Sequence, residues 1–149
     1  MVKRMLALGA LITVVLASGC ASVPMASADQ DTAAKSFKPK QGQANIYVYR
    51  NETMGAAIKM PVALNGRLVG DTASKTYLLL EVPPGQHTVT SKTENDSTVT
   101  VNAAAGSNYF LWQEVKMGFA VARSNLQQVD EKTGRAGVEE CKLIEPAKF

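Results

Sequence analysis

The stretch "PVALNGRLVG", residues 61–70, is the strongest indication of the fold in this sequence. Asn65 and Gly66 lie between two short apolar runs, and an Asn-Gly pair favours a two-residue hairpin because both turn positions adopt a positive φ. The strand pairs that such a turn predicts are Ala63 with Leu68 and Val62 with Val69. The stretch therefore predicts two adjacent antiparallel strands.

Similar short stretches surround the hairpin, and their residues alternate between apolar and polar. They are "ANIYVYRN" (44–51), "KTYLLLEV" (75–82), "QHTVTSK" (86–92), "STVTVN" (97–102), "NYFLWQEVK" (108–116) and a further strand over 120–129. Turns separate them, as at "PPG" (83–85), where neither proline can donate to a ladder. About seven short strands without strand-helix-strand alternation are typical of an all-β antiparallel sandwich.

The C-terminal stretch "DEKTGRAGVEECKLI", residues 130–144, is ambiguous. Its charges and the spacing of Val138 from Cys141 are compatible with a short helix, whereas Gly134 and Gly137 disfavour one. We therefore predict a β-sandwich domain over residues 44–149, with a short C-terminal helix as one of two alternatives.

The N-terminus has the organisation of a secretory signal that ends in a cysteine. Two basic residues precede the apolar run of residues 5–16, which is shorter than the roughly 20 residues of a membrane-spanning helix. The following "LASGC" (16–20) resembles a bacterial lipobox, which implies removal of residues 1–19 and a diacylglyceryl group on Cys20. An ordinary secreted protein, cleaved a few residues downstream, is the alternative.

Lipidation of Cys20 would determine where the protein resides. Each buried methylene of an acyl chain adds about 0.8 kcal/mol of binding free energy, so several chains make release from a membrane negligible. Residue 21 is alanine, whereas an aspartate there would favour retention in the inner membrane. We therefore expect anchoring in the outer membrane by palmitate-type chains, with the protein facing the periplasm.

Residues 21–43 are rich in Ala, Ser, Gln, Lys and Asp and contain almost no bulky apolar side chains. Such a composition buries too little apolar surface to offset the entropy of ordering. We therefore interpret this segment as a flexible tether between lipid and domain. A helix over residues 33–37 would have little to pack against.

The net charge and the cysteine count exclude few classes of function. The formal charge of +3 falls by two when Lys3 and Arg4 leave with the signal, so nothing favours nucleic acid as a partner. With Cys20 lipidated, Cys141 is left without a partner in the chain. It is a buried small hydrophobe, an intermolecular disulfide partner or a reactive thiol.

Candidate catalytic residues are few. His87 is the only histidine, and its register with Val89 makes a structural position at the edge of the core the alternative to acid-base chemistry. Ser74, Asp71 and His87 would form a triad, but no G-x-S-x-G motif supports it. No metal-ligand spacing or phosphate-binding glycine loop occurs. We therefore expect no catalytic residues, metal or cofactor, and no enzyme.

Aromatic residues are the most suggestive set for binding, because exposed rings stack on sugars or anchor a partner. The candidate surface comprises Tyr47, Tyr49, Arg50, Tyr77, Phe110 and Trp112, with Arg67 and Arg123 as further polar companions. Packing in the core is the alternative, since strands favour aromatic residues. Exposed edge strands offer a second route, addition of a partner strand.

Four blocks carry a family resemblance: "ANIYVYRN", "VALNGRLVG", "TYLLLEVPPGQHTV" and "AGSNYFLWQEV". Together and in this order they resemble the bacterial lipoprotein family known as domain of unknown function 2846, and the middle part is similar to PEGA-type envelope modules. The resemblance implies a prealbumin-like or carboxypeptidase-regulatory-like sandwich, an envelope location and no assigned activity. It offers no catalytic residues to transfer.

These observations favour a lipid-anchored, non-enzymatic binding or scaffolding module of the cell envelope. It would contact a periplasmic protein or peptidoglycan through a sheet face or edge. The alternatives are an envelope hydrolase that uses His87 and a structural stress-response lipoprotein that adds bulk at the membrane surface.

Overall fold

A computed structural model describes residues 21–118 and 122–146. The strands are β1 (Ala44–Arg50), β2 (Met60–Leu64), β3 (Arg67–Thr72), β4 (Thr76–Val82), β5 (Gly85–Ser91), β6 (Ser97–Ala103), β7 (Asn108–Met117), β8 (Ala122–Val129) and β9 (Lys142–Leu143), and the helices are α1 (Ala28–Ala34) and α2 (Glu131–Glu139). The predicted all-β sandwich is confirmed, and so is the short C-terminal helix. The predicted signal peptide and Cys20 lie outside the described residues.

The strands form two sheets, with the orders β8-β7-β1-β4-β9 and β3-β2-β5-β6. The four-stranded sheet is antiparallel, whereas β1 pairs with β7, and β4 with β9, in parallel. The five-stranded sheet is therefore mixed, and the predicted antiparallel pairing is wrong for these two strand pairs. Apolar alternation is the same for both strand directions, and no tight turn joins either parallel pair.

The predicted hairpin joins β2 and β3. Asn65 and Gly66 have φ values of 50° and 83°, and Ala63 pairs with Leu68 as predicted. A register shift beside Ala63 then places Val62 opposite Gly70 rather than Val69. The alternation does not reveal this bulge, because one extra residue is absorbed within the strand.

Two apolar clusters define three layers. The first lies between the sheets and includes Ile46, Val48, Leu78, Val89 and Leu111. The second covers the other face of the five-stranded sheet and includes Phe37, Tyr47, Tyr49, Tyr77, Phe110, Val138 and Cys141. Helices α1 and α2 contribute to this second cluster, so the layers are helices, five-stranded sheet and four-stranded sheet.

Helix α2 lies unusually close to the sheet at two glycines. A Cβ atom at Gly134 would lie 2.2 Å from Cβ and Cγ of Phe110, and one at Gly137 would lie 2.2 Å from Cε2 of Tyr49. Glycine is a poor helix former, and the sequence pattern reflects only that property. The missing side chains of Gly134 and Gly137 instead allow the close approach, so packing outweighs helix propensity.

The interpretation of residues 21–43 as a flexible tether is wrong for much of that segment. Helix α1 begins at a capping box in which the Ser27 hydroxyl accepts a hydrogen bond from the Gln30 backbone N–H. Phe37 follows the helix and is only 7% exposed. The segment packs on the sandwich upstream of Ala44, because the aromatic face of the sheet offers the apolar surface that the segment itself lacks.

Polar contacts hold the same segment in place. The Asp31 carboxylate accepts hydrogen bonds from the Tyr77 hydroxyl (2.7 Å), the Leu143 N–H (3.1 Å) and the Lys35 ammonium (3.1 Å). Upstream, Ala26 N–H donates to the Leu143 carbonyl at 3.0 Å. Pro24 accepts from the Glu145 N–H at 2.9 Å and Met25 bridges to Ile144, so residues 24–26 run along the β9 edge of the five-stranded sheet. Neither helix in the described part of the chain is long and apolar enough to cross a membrane.

Candidate functional site

Most of the predicted aromatic binding surface is buried. Tyr47, Tyr77 and Phe110 are at most 1% exposed beneath the helices, and the Tyr47 and Phe110 rings stack at 5.1 Å between centroids. Tyr49 is also buried, and Trp112 is half-buried at the margin. The prediction of a binding surface is therefore wrong for Tyr47, Tyr77 and Phe110, whereas Tyr49 and Trp112 line a small pocket beside α2. The core-packing alternative is correct, because the helices cover the sheet face that the alternation left unassigned.

Arg50, predicted to accompany the aromatic rings at a surface, is fully buried at the end of β1. Its guanidinium donates hydrogen bonds to the Ile58 and Gly55 carbonyls, each at 2.9 Å. Burial lowers the pKa of Arg50, while the neighbouring Glu52 carboxylate opposes that shift. Arg50 therefore fixes the loop between β1 and β2. Among the other predicted companions, Arg67 is exposed in β3, and Arg123 forms an ion pair with Glu94 at 3.2 Å.

Two of the buried tyrosine hydroxyls, those of Tyr47 and Tyr77, are bonded to structural partners. Tyr47 donates to the Ala34 carbonyl at 2.8 Å, and Tyr77 donates to Asp31. Burial raises the pKa of Tyr47 and of Tyr49 to about 12. Burial alone would raise the pKa of Asp31, but the hydrogen bonds from Tyr77, Lys35 and Leu143 lower it. Tyr47, Tyr77 and Asp31 therefore hold α1 on the sheet.

Cys141 is a free, buried thiol that donates a hydrogen bond to the Arg50 carbonyl, with 3.4 Å between sulfur and oxygen. Burial raises the pKa of Cys141 to about 12. The thiolate is the reactive form of cysteine. Among the three roles left open by the sequence, the buried small hydrophobe therefore fits the structure.

His87 is 8% exposed, and both of its ring nitrogens have partners. Nε2 lies 2.7 Å from the Pro83 carbonyl, which can only accept, so Nε2 carries the hydrogen. Nδ1 lies 3.0 Å from the Asn65 side-chain nitrogen and accepts from it. The same Asn65 accepts from the Thr88 N–H at 2.9 Å. His87 thus links the β2–β3 turn to β5.

Replacing His87 with alanine should therefore reduce stability and nothing else. We expect a loss of about 1–3 kcal/mol in the free energy of unfolding, because the Asn65 amide and the Pro83 carbonyl lose their partner. Urea unfolding measures this loss, and Gln86→Ala at the exposed neighbouring position serves as the control. Loss of a cellular phenotype by His87→Ala at unchanged stability would instead indicate an enzyme.

The hypothetical triad does not assemble. The Ser74 hydroxyl donates to the Glu52 carbonyl, and Asp71 is exposed in β3. His87 is engaged with Asn65 and Pro83, as described above. Within residues 21–118 and 122–146, no group of three or more His, Cys, Asp or Glu side chains is placed to hold a metal ion.

A buried polar network that the sequence did not indicate joins the two sheets. The Gln113 side chain donates to the Ser91 hydroxyl at 2.6 Å and accepts from the Thr72 hydroxyl. Ser124 donates to Ser91 at 2.7 Å. Buried polar groups need such partners to avoid a desolvation penalty. The network is therefore structural and fixes how the sheets align.

The outer face of the four-stranded sheet has no helical layer in the described part of the chain. Burial alternates along β5 and β6, so the residues that point outward are Gln86, Thr88, Thr90, Thr98, Thr100 and Asn102. Three cross-strand pairs bring them together: Gln86 with Asn102, Thr88 with Thr100 and Thr90 with Thr98. The Thr90 and Thr98 hydroxyls lie 3.0 Å apart. We call these six residues the threonine face.

The threonine face is uncharged and rich in hydrogen-bonding groups. Each threonine carries one hydroxyl donor with acceptor lone pairs, and each amide both donates and accepts. The stretches "QHTVTSK" and "STVTVN" alternate between apolar positions, which predict the core, and polar positions. The polar positions opposite them were the signal for this surface.

The described residues form a β-sandwich whose five-stranded sheet carries a layer of two helices. The family model described as "Protein of unknown function (DUF2846)" matches residues 40–125, more than half of the chain. The protein belongs to this family, as the resemblance predicted. A Haemophilus influenzae protein named "Uncharacterized protein" is 31% identical over 145 residues, covering 95% of this chain and 86% of that protein. No solved structure matches the chain significantly.

Proposed function

We propose that this protein is a lipid-anchored, non-enzymatic module of the cell envelope that binds peptidoglycan through the threonine face. The observation that carries the proposal is the contrast between the two sheets. Helices cover the outer face of the five-stranded sheet, whereas the threonine face is left open with its three facing pairs of neutral side chains.

The chemistry of the threonine face fits a glycan better than a charged partner. A glycan strand presents many hydroxyl and amide groups, which exchange hydrogen bonds with Thr, Gln and Asn side chains. Binding it buries no unpaired charge from this face, so no large desolvation cost arises. A periplasmic protein that docks on the same face is the other outcome of the experiment below.

The N-terminal sequence supports the lipid anchor. "LASGC" precedes a segment that packs on the sandwich from Ala21 onward, where the Ala21 N–H donates to the Ala56 carbonyl at 2.8 Å. A lipid on Cys20 would then hold the domain close to the membrane. The structural partners of both His87 nitrogens support a non-enzymatic role.

Replacing Thr90 and Thr98 together with valine should weaken binding to purified peptidoglycan sacculi several-fold. Valine keeps the shape and strand preference of threonine and removes only the hydroxyl. Co-sedimentation of the full-length protein with sacculi measures the effect, and Thr32→Val, at an exposed position of α1, is the control.

Equal pelleting of the double variant and the wild type would exclude the threonine face as the contact. If the wild type does not pellet, yet cross-links in cells to one protein in a manner lost with the double variant, the partner is a protein and not peptidoglycan.

A further inference from the structure

We infer that one end of the sandwich, formed by residues 53–57 and Met117, lies against the surface of the bilayer that holds the lipid anchor. We call it the methionine end. The inference rests on the lipid anchor of the proposed function and adds an orientation to it. The proposed partner of this end is a lipid surface, because the predicted lipidation site, Cys20, directly precedes Ala21, which contacts this end.

The structure begins directly beside this end. Ala21 is bonded to Ala56 in the loop between β1 and β2. Adjacent Cα atoms lie 3.8 Å apart, so acyl chains on Cys20 would start within roughly 10 Å of that loop. Val23 packs against the core between the sheets, and Met25 bridges to Ile144. Because residues 21–25 are held on the domain, the connection between the domain and a lipid on Cys20 is very short.

The loop that meets Ala21 is held in a defined conformation. Arg50 donates to the Gly55 and Ile58 carbonyls from beneath the loop. From β7, the Val115 N–H donates to Glu52 Oε1 at 3.3 Å. The Ser74 hydroxyl donates to the Glu52 carbonyl from the turn between β3 and β4. The loop is thus a preformed surface.

Two exposed methionines mark this end. Met54 is 52% exposed in the loop, and Met117 is 76% exposed where β7 extends five residues beyond its last pair with β1, Tyr49 with Trp112. Scattered apolar side chains are ordinary on a protein surface. These two differ because they lie at the end that carries the chain toward Cys20, and methionine adapts its shape to an irregular apolar medium.

Charge does not oppose contact with lipid here. Residues 53–57 (Thr-Met-Gly-Ala-Ala) carry no charge. Most neighbouring charged side chains form ion pairs of 2.7–3.4 Å: Lys75 with Glu140, Lys92 with Asp96, Lys116 with Glu114 and Arg123 with Glu94. Lys59, beside the loop, is exposed and forms no ion pair with the described residues, so it can approach an anionic headgroup. Insertion of apolar side chains into the headgroup region, supported by attraction of Lys59 to anionic lipid, should therefore hold this end at the surface.

A depth measurement tests the orientation. In the full-length lipidated protein, Met54→Cys introduces an accessible thiol for an environment-sensitive fluorophore, while Cys141 stays buried. The labelled protein is reconstituted in vesicles of phosphatidylethanolamine and phosphatidylglycerol that contain nitroxide-labelled lipid. Ala105→Cys is the control, because Ala105 is exposed in the turn before β7 and therefore lies at the opposite end of the strand that ends at Met117.

We expect the probe at residue 54 to be quenched several-fold more than the probe at residue 105, at both low and high salt. Equal quenching in protein that floats with the vesicles would overturn the orientation and leave the lipid anchor intact. Protein that does not float at all would overturn the anchor, and the orientation with it.

Discussion

Replacing Gly134 with alanine is expected to destabilise the protein by about 2 kcal/mol or more, although alanine is the better helix former. The added methyl group would lie 2.2 Å from Cβ and Cγ of Phe110. Overpacking of a well-packed core costs about 1–3 kcal/mol and occasionally more. The gain in helix propensity is only about 1 kcal/mol. Packing therefore decides the sign.

Alanine substitutions at the two glycines of α2 should differ in how much they lower the free energy of unfolding. At Gly134 the nearest atom is Cβ of Phe110, which is fixed to the backbone of β7 and cannot rotate away. Helix α2 itself must therefore move to accommodate a methyl group. At Gly137 the obstacle is the far side of the Tyr49 ring, which can shift by a small rotation. We therefore expect Gly137→Ala to be destabilising by a smaller amount than Gly134→Ala.

Urea unfolding of residues 21–149 measures both variants. Ala136→Gly, at an exposed position of the same helix, is the control and should cost about 1 kcal/mol through propensity alone. A Gly134→Ala variant that is more stable than the wild type would show that α2 does not press against Phe110.

The elements that the sequence predicted correctly depend on neighbouring residues. The β2–β3 hairpin follows from Asn65 and Gly66, because a two-residue turn specifies both strands and their register near the turn. The parallel pairing of β1 with β7 joins residues more than fifty positions apart, such as Tyr49 and Trp112. No local signal encodes that pairing, so it could not be predicted.

The burial of the predicted aromatic surface could not be predicted for a related reason. Tyr47, Tyr49 and Tyr77 alternate with core residues, and alternation shows that two faces differ without showing what covers the second face. Helices α1 and α2 cover that face, and their sequences, a polar segment and a glycine-containing C-terminal stretch, do not predict this. The structural position of His87 could be predicted, because its register with Val89 indicates a side chain that points into the core.

Replacing Phe37 with alanine is the second change with a large expected effect, about 3–5 kcal/mol of unfolding free energy. The ring is buried against Tyr47 and Phe110, at centroid distances of 5.3 and 5.8 Å. On its other side the Arg135 guanidinium lies 4.7 Å from the ring centroid. The Asn108 side chain donates to the Phe37 carbonyl at 2.8 Å. A flexible tether would make none of these contacts.

The backbone of Phe37 allows a sharper comparison within the same experiment. Its φ of 53° lies in the left-handed region, which costs a non-glycine residue roughly 1–2 kcal/mol. Phe37→Gly loses the same ring as Phe37→Ala but removes that strain, so it should be about 1 kcal/mol more stable than Phe37→Ala. Lys38→Ala, at the exposed neighbouring position, should change stability by no more than about 0.5 kcal/mol. A Phe37→Ala variant as stable as this control would mean that residues 21–43 are the flexible tether that their composition suggested, and the short connection between lipid and domain would be lost with it.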